Sequence, residues 1–227
     1  MTLQTFQYVL FSVPAIIIIS MLLANWLNMK IKGKGIYRTL IFLPAVTMPA
    51  AIGLIWRGLM NYQFGIINSW LSAIGITPIP WLADPQFVIP AISLVLIWSN
   101  VGYQMILFLA GIQGISRSYY EAAEIDGALP RQQFLYITLP LLSPVTFFVL
   151  ITSVINILQV FDFIFLMLRA HSAGWAGARS LVSWFFEESF MMFNQGFGAA
   201  ISMFLFVIIM GITALQLYFQ KRWVHYD

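Results

Sequence analysis

Residues 119–144 read YYEAAEIDGALPRQQFLYITLPLLSP, the longest polar stretch between apolar runs of this chain. It gathers Glu121, Glu124, Asp126 and Arg131 in a protein of which only 8% is charged. EAAEIDGA consists largely of good helix formers and is closed by Gly127 and then Pro130, which predicts a short helix that opens near Glu121 and stops there. Residues 132–136 allow a second short helical piece before Leu139 and Pro140 lead into the next apolar run. A helix–glycine–helix unit set between two apolar runs is a knuckle that another protein can grip.

What flanks the knuckle decides the class. Of the 227 residues 61% are hydrophobic, and the mean hydropathy is +0.88; soluble globular domains are nearer one half apolar. Apolar runs of 18 or more residues read as membrane helices, each needing about 20 residues to cross roughly 30 Å of hydrocarbon. Because every crossing must satisfy its own backbone hydrogen bonds, unbroken runs without period-2 alternation predict helices rather than a barrel. The pI of 9.3 goes with a net charge of only +3 and with basic residues placed beside spans, which is a topology signal and not a nucleic-acid footprint. There is no cysteine, so disulfide and thiolate chemistry are excluded. The first apolar run lacks a basic leading segment and continues to full spanning length, so it reads as a span and not as a cleavable signal.

Five spans are expected, over residues 8–27, 39–59, 87–112, 144–168 and 197–219, in one domain covering residues 1–227. Pro14 is expected to kink the first unless neighbours satisfy the freed carbonyl. Residues 61–86, rich in Pro and Gly, form an external loop with one short interfacial helix near 66–74; residues 169–196, containing Glu187 and Glu188, form another. Arg57, next to Trp56 at a span end, reads as an interfacial anchor. Lys30, Lys32, Lys34, Arg38, Arg117, Arg131, Lys221 and Arg222 fall on one side, against Arg57, Arg169 and Arg179 on the other. The positive-inside rule then places the N-terminus outside, and the loop 116–140 and the C-terminus in the cytoplasm.

Enzyme chemistry finds no support. No GxxxxGK[ST] is present, and KGKG at residues 32–35 lacks both its spacing and the following hydroxyl residue. His171 and His225 are far apart and near span ends, so neither a metal site nor a histidine-based catalytic set can be placed. Polar residues within spans are the better lead, because they are costly in hydrocarbon and tend to line a path. Ser93, Asn100 and Gln104 share one helical stripe on the third span; Thr152, Asn156 and Gln159 share one on the fourth, with Asp162 a side-step round. At about 1.5 Å rise per residue, Asn100 and Asn156 lie near the midplane, about 17–18 Å in, and Asp162 about 26 Å in, near the outer interface. Interhelical hydrogen bonding by the amides, and pairing of Asp162 with Arg169 or water, stand beside the path reading. Amides along a path suit a neutral polyhydroxylated solute, since each offers donors and acceptors.

The spacing Glu121-Ala122-Ala123, three residues, Gly127, nine residues, Ile137, one residue, Leu139-Pro140 resembles the EAA pattern of permease subunits in binding-protein-dependent ABC importers. The extended form EAAEIDGA…ITLPLL is most similar to the carbohydrate-importer, maltose-type branch. LQVFDFIF at residues 158–165 is also similar to a sugar-permease segment, although the Gly-Gly-Pro that often follows is replaced by HSAGWAG at 171–177. The resemblance implies an all-α, polytopic bundle of the type I importer kind in a bacterial or archaeal cytoplasmic membrane. It also implies a coupling role for Glu121, Ala122, Ala123, Asp126, Gly127, Leu139 and Pro140. Implied partners are a second permease subunit, in a hetero- or homodimer, two ABC ATPase subunits that bind ATP and Mg, an extracytoplasmic solute-binding protein and membrane lipid. No cofactor is expected on this chain. Members of that branch usually carry one more helix at the start, which this chain is read as lacking, with Met1 just ahead of their second helix. Competing expectations are a permease for a polyamine, an amino acid or glycerol phosphate, a secondary transporter or channel without an ATPase, and a membrane scaffold.

Overall fold

A computed structural model describes residues 1–29, 32–168 and 172–223, with side chains as far as residue 220. Lys30, Arg169 and His171 therefore lie outside the described residues, as do the side chains of Lys221 and Arg222. All regular elements among the described residues are helical.

The first, α1 (Thr2–Asn28), runs unbroken through Pro14. At about 1.5 Å per residue it is long enough to cross a bilayer. The expected second span is instead two helices, α2 (Lys34–Val46) and α3 (Pro49–Leu59), whose axes meet at 96°. Pro49 is the cause. It sits at the start of α3, where its missing N–H is harmless, and it drives the residue before it out of the helical region. The freed end of α2 is closed by Thr47, whose hydroxyl donates to Leu43 O (2.8 Å) and whose N–H donates to Pro44 O (3.3 Å). The loop that follows contains α4 (Ile66–Ala73), where a short helix was expected. Buried Asn68 knots this loop. Its amide nitrogen donates to Tyr62 O and Ile79 O, and its oxygen accepts from Ile79 N–H and Trp81 Nε1–H.

The central helix is α5 (Pro85–Gly114), capped by Asp84, whose carboxylate accepts the Gln86 N–H at 2.8 Å. It packs against α1, α2 and the helices that follow the polar loop. Its contact with α2 is backbone on backbone: a β-carbon at Gly102 would overlap the carbonyl oxygen of Ile41 and crowd Phe42 Cα. The polar loop forms α6 (Arg117–Ile125), α7 (Pro130–Gln133), a π-helical turn (Phe134–Thr138) and α8 (Leu139–Leu141). The chain then bends by 65° into α9 (Ser143–Leu158).

The expected fourth span, residues 144–168, does not continue to its end as one helix: α9 stops at Leu158 and α10 (Asp162–Met167) begins anew. The break is stabilised from outside the segment, by Ser180 Oγ donating to Val160 O at 2.6 Å. Irregular backbone at this depth needs such a protein partner. The remaining elements are α11 (Ala173–Ala178), α12 (Leu181–Phe186), a second π-helical turn (Glu187–Met191) and α13 (Gln195–Trp223). Three helices, α1, α5 and α13, are each long and apolar enough to cross a membrane, and the number is five where each of the two bent pairs, α2 with α3 and Pro130–Leu141 with α9, counts as one span. In its most apolar stretch α5 is 61% buried and α13 only 11%, so α5 is the hub and α13 lies at the rim.

Two apolar clusters fill the bundle. Val13, Ile16, Val88, Ile92, Val95, Ile157 and Ile164 belong to one, at the end away from the polar loop. Met21, Ala24, Met105, Phe108, Leu142 and Val149 belong to the other, at the loop end. Between them along α1 and α5 lie buried polar groups: Ser20 Oγ donates to Val101 O at 3.1 Å, and Gln104 is 2% exposed. At the end away from the loop, α1 is stitched to the chain around α11 and α12. Gln4 donates to Ala176 O and Gly177 O, Tyr8 Oη donates to Ala178 O, and Thr5 Oγ1 accepts the Leu181 N–H.

Candidate coupling loop and candidate solute path

α6 begins at Ser116, whose hydroxyl accepts the Ser118 N–H. It ends in the hydrogen-bond pattern that needs a left-handed residue: Ala128 N–H donates to Ala123 O (2.8 Å) and Gly127 N–H donates to Glu124 O (3.1 Å). Gly127 has φ +78°, which glycine adopts without steric penalty. The next piece is set by Pro130 at the start of α7 and by Gln132 Oε1, which accepts the Leu129 N–H at 2.7 Å. The product is an elbow at one end of the bundle. Glu121, Ala122, Asp126 and Gly127 are exposed on it and Ala123 is half-buried, so these five stand together. Leu139 and Pro140 lie elsewhere, in α8 at the joint between the π-helical turn and α9.

The charges of the elbow run against the helix dipole. Arg117 is the first residue of α6, while Glu124 is in its last turn and Asp126 caps its C-terminus. Helices favour the reverse, by roughly 0.3–1 kcal/mol per charge. Among the described residues no ion pair joins these acids to a base. A cleft of about 860 Å³ opens beside the elbow, bordered by Lys34, Arg117, Tyr120, Glu121, Glu124 and Thr138.

The residues proposed for a path do not form one group. On α5, Gln104 is buried within the chain with no hydrogen-bond partner for its Oε1, as is Ser93 Oγ. Asn100 is partly buried and donates to Leu96 O of its own helix at 2.8 Å. Asn156 and Gln159 are exposed at the end of α9, and Asp162 is exposed in the first turn of α10. There its carboxylate meets the free N–H groups and positive end of the helix dipole. Arg169, the partner considered for Asp162, lies outside the described residues. Beside this face Phe161 stacks on Phe165 (5.3 Å between ring centres), and Phe186 packs on Phe161 at 4.9 Å and on Phe165 at 5.2 Å.

Two groups escaped the sequence reading. Tyr120 Oη and Thr138 Oγ1 are hydrogen-bonded at 2.9 Å across the loop; the paired tyrosines Tyr119 and Tyr120 just ahead of the EAA triplet were the available hint. Arg179 pairs with buried Glu187 at 2.5 Å, where only an interfacial segment was anticipated. An apolar stretch holding an acid and, eight residues back, an arginine was the signal.

Comparison with known proteins now adds to the geometry. Residues 1–225 match the family model described as binding-protein-dependent transport system inner membrane component. The chain is 33% identical over 216 residues to the trehalose/maltose transport system permease protein MalF of Thermococcus litoralis, covering 95% of this chain and 72% of that one. It is 34% identical over 223 residues to the sn-glycerol-3-phosphate transport system permease protein UgpA of Agrobacterium fabrum, covering 96% and 75%. Its fold matches, with a TM-score of 0.88 and 24% identity, a chain of the bacterial alginate ABC transporter solved in complex with an alginate pentasaccharide-bound periplasmic protein, over 97% of this chain and 77% of that one. With three continuous apolar helices long enough to cross a membrane, two bent apolar helix pairs and an exposed EAA elbow, the chain belongs to the family of binding-protein-dependent transport system inner membrane components, the permeases of ABC importers.

Proposed function

We propose that this permease carries a sugar or sugar derivative, and that the elbow Glu121–Gly127 couples it to a separate ATPase. In this reading two permease chains, alike or related, enclose the path. Two ATPase subunits holding ATP and Mg seat the elbows, and a solute-binding protein delivers cargo from outside. The elbow and the C-terminus face the cytoplasm of a bacterial or archaeal cell, with the N-terminus of α1 outside.

The observation that carries the coupling role is the elbow itself: a helix with no buried residue, held out at one end of the bundle, with its acids placed against its own dipole. Such an arrangement is locally unfavourable and becomes favourable against a basic groove. Small Ala122 and Ala123 let the helix seat closely. The sugar assignment is supported by the exposed amides of Asn156 and Gln159 beside stacked Phe161 and Phe165, which suit a neutral polyhydroxylated ring. The trehalose/maltose relative points the same way. A second reading, glycerol phosphate, has a relative at 34% identity, and Arg57 lines a cleft of about 350 Å³ at the end away from the elbow. Exposed Asp162 on the amide face opposes an anion there.

The test is purification of the tagged chain in mild detergent with whatever ATPase accompanies it, followed by hydrolysis assays with its binding protein. Maltose, trehalose and sn-glycerol-3-phosphate are added in turn. Stimulation by a neutral sugar, lost in Glu121→Lys while the chain still inserts, is expected. Stimulation by glycerol phosphate alone would overturn the sugar reading, and full stimulation in Glu121→Lys the coupling one.

A further inference from the structure

If the elbow receives force, something must carry it into the bundle, and the structure offers few routes. Of the nine residues of α6, none is buried, and only Tyr120 and Ala123, one turn apart, are half-buried. Ala123 has only a methyl group to offer. Side-chain hydrogen bonds at the start of α6 stay local, between Ser116 and Ser118. Among the described residues one side-chain hydrogen bond leaves α6 for the body of the chain, Tyr120 Oη to Thr138 Oγ1 at 2.9 Å, spanning 18 positions.

Its far end is well anchored. Thr138 is 3% exposed and closes the π-helical turn Phe134–Thr138. Its carbonyl accepts the N–H of Leu142 at 2.9 Å, and Leu142 is fully buried in the apolar cluster at the foot of α9. The turn itself is π-helical, a conformation that occurs mostly as single-turn insertions and frequently at functional sites. A displacement of α6 would thus reach α9, the helix bearing Asn156, through one pair of hydroxyls, a shorter route than the backbone that runs through Gly127, Ala128 and α7.

We propose that Tyr120 and Thr138 form a strut, two positioning residues that convert movement of the elbow into movement of α9. The strut rests on the coupling role argued above. It makes a specific claim: the Tyr120 hydroxyl, absent from the EAA spacing, is needed for transmission and not for docking.

The chain contains no cysteine, so an Asn156→Cys reporter is its single maleimide target, and labelling is read on this chain's band after the subunits are separated by gel electrophoresis. The experiment uses the membrane complex with its ATPase subunits and a water-soluble maleimide, with and without ATP and vanadate. In the parent, nucleotide is expected to change the labelling rate of the reporter. Tyr120→Phe and Thr138→Val, each removing one hydroxyl, should retain ATPase copurification and basal hydrolysis within about twofold, yet shrink the nucleotide-driven change at least fivefold. Thr138→Ser, which keeps the hydroxyl, should restore it, and the double variant should be no worse than either single one. A change that persists in Tyr120→Phe and Thr138→Val overturns the strut and leaves the coupling role standing. A parent complex without ATPase, or without a nucleotide-driven change, overturns the coupling role and the strut with it.

Discussion

Gly127 holds φ +78°, and a β-carbon added there would meet nothing within 4 Å. Substitution therefore acts through the backbone alone. A left-handed conformation costs an ordinary residue roughly 1–2 kcal/mol, while asparagine visits it more readily. Gly127→Val is expected to loosen the end of α6 and reduce ATPase copurification at least fivefold, with Gly127→Asn close to the parent; pull-down yields at equal membrane expression measure this. Equal loss in both would place the requirement in space rather than in φ. Residues of this kind are legible from sequence because a glycine at a fixed offset from a helix end reports a local conformation. Gln104 and Asn156 show the opposite case. Helical periodicity assigns each to a stripe of its own helix, but not the neighbour that the stripe faces, and Gln104 turned out buried where Asn156 is exposed.

At the scale of elements, apolar run length was a good guide to where crossings lie and a poor one to their continuity. Hydropathy averaged over about 18 residues is blind to the turn at Thr47–Met48 and to the break at Gln159–Phe161, because the residues on either side are as apolar as a straight helix needs. The punctuation was present in Pro49 and in the polar pair Gln159 and Asp162. What decides whether such a pair breaks a helix is the partner for the freed backbone, here Ser180 from a distant segment. The packing of elements gives a further expectation. Since the backbones of α2 and α5 meet at Gly102, Gly102→Val forces them apart, with no rotamer able to relieve the overlap with Ile41. Overpacking typically costs about 1–3 kcal/mol, and each kcal/mol lowers the melting temperature by about 2–4 °C in a chain of this size. Thermal unfolding of the detergent-purified protein would read the shift, and a melting point unchanged from the parent would contradict the close approach.

Across the whole molecule the order of crossings, the position of the polar elbow and the all-helical class were readable, because each follows from local composition. The knitting of distant segments was not, and it has a consequence for how the protein is made. Tyr8, at 0% exposed, finds its hydrogen-bond acceptor at Ala178, 170 residues later, and Thr5 serves Leu181, 176 residues later. At about 5–20 residues per second of synthesis, the N-terminal turns of α1 wait roughly 10–30 s for the segment that completes them. During that interval a polar face on the first helix is open to the insertion machinery, to lipid headgroups and to membrane proteases. Nascent chains halted before Ala176 should therefore be cleared quickly in pulse-chase labelling, while chains halted just after Phe186 should persist several-fold longer. A smooth dependence of lifetime on length, without a step between these points, would mean that the stitch plays no part in biogenesis. A step there would mean that completion of α1 is timed by the segment from Ala176 to Leu181, long after the helix itself has been synthesised.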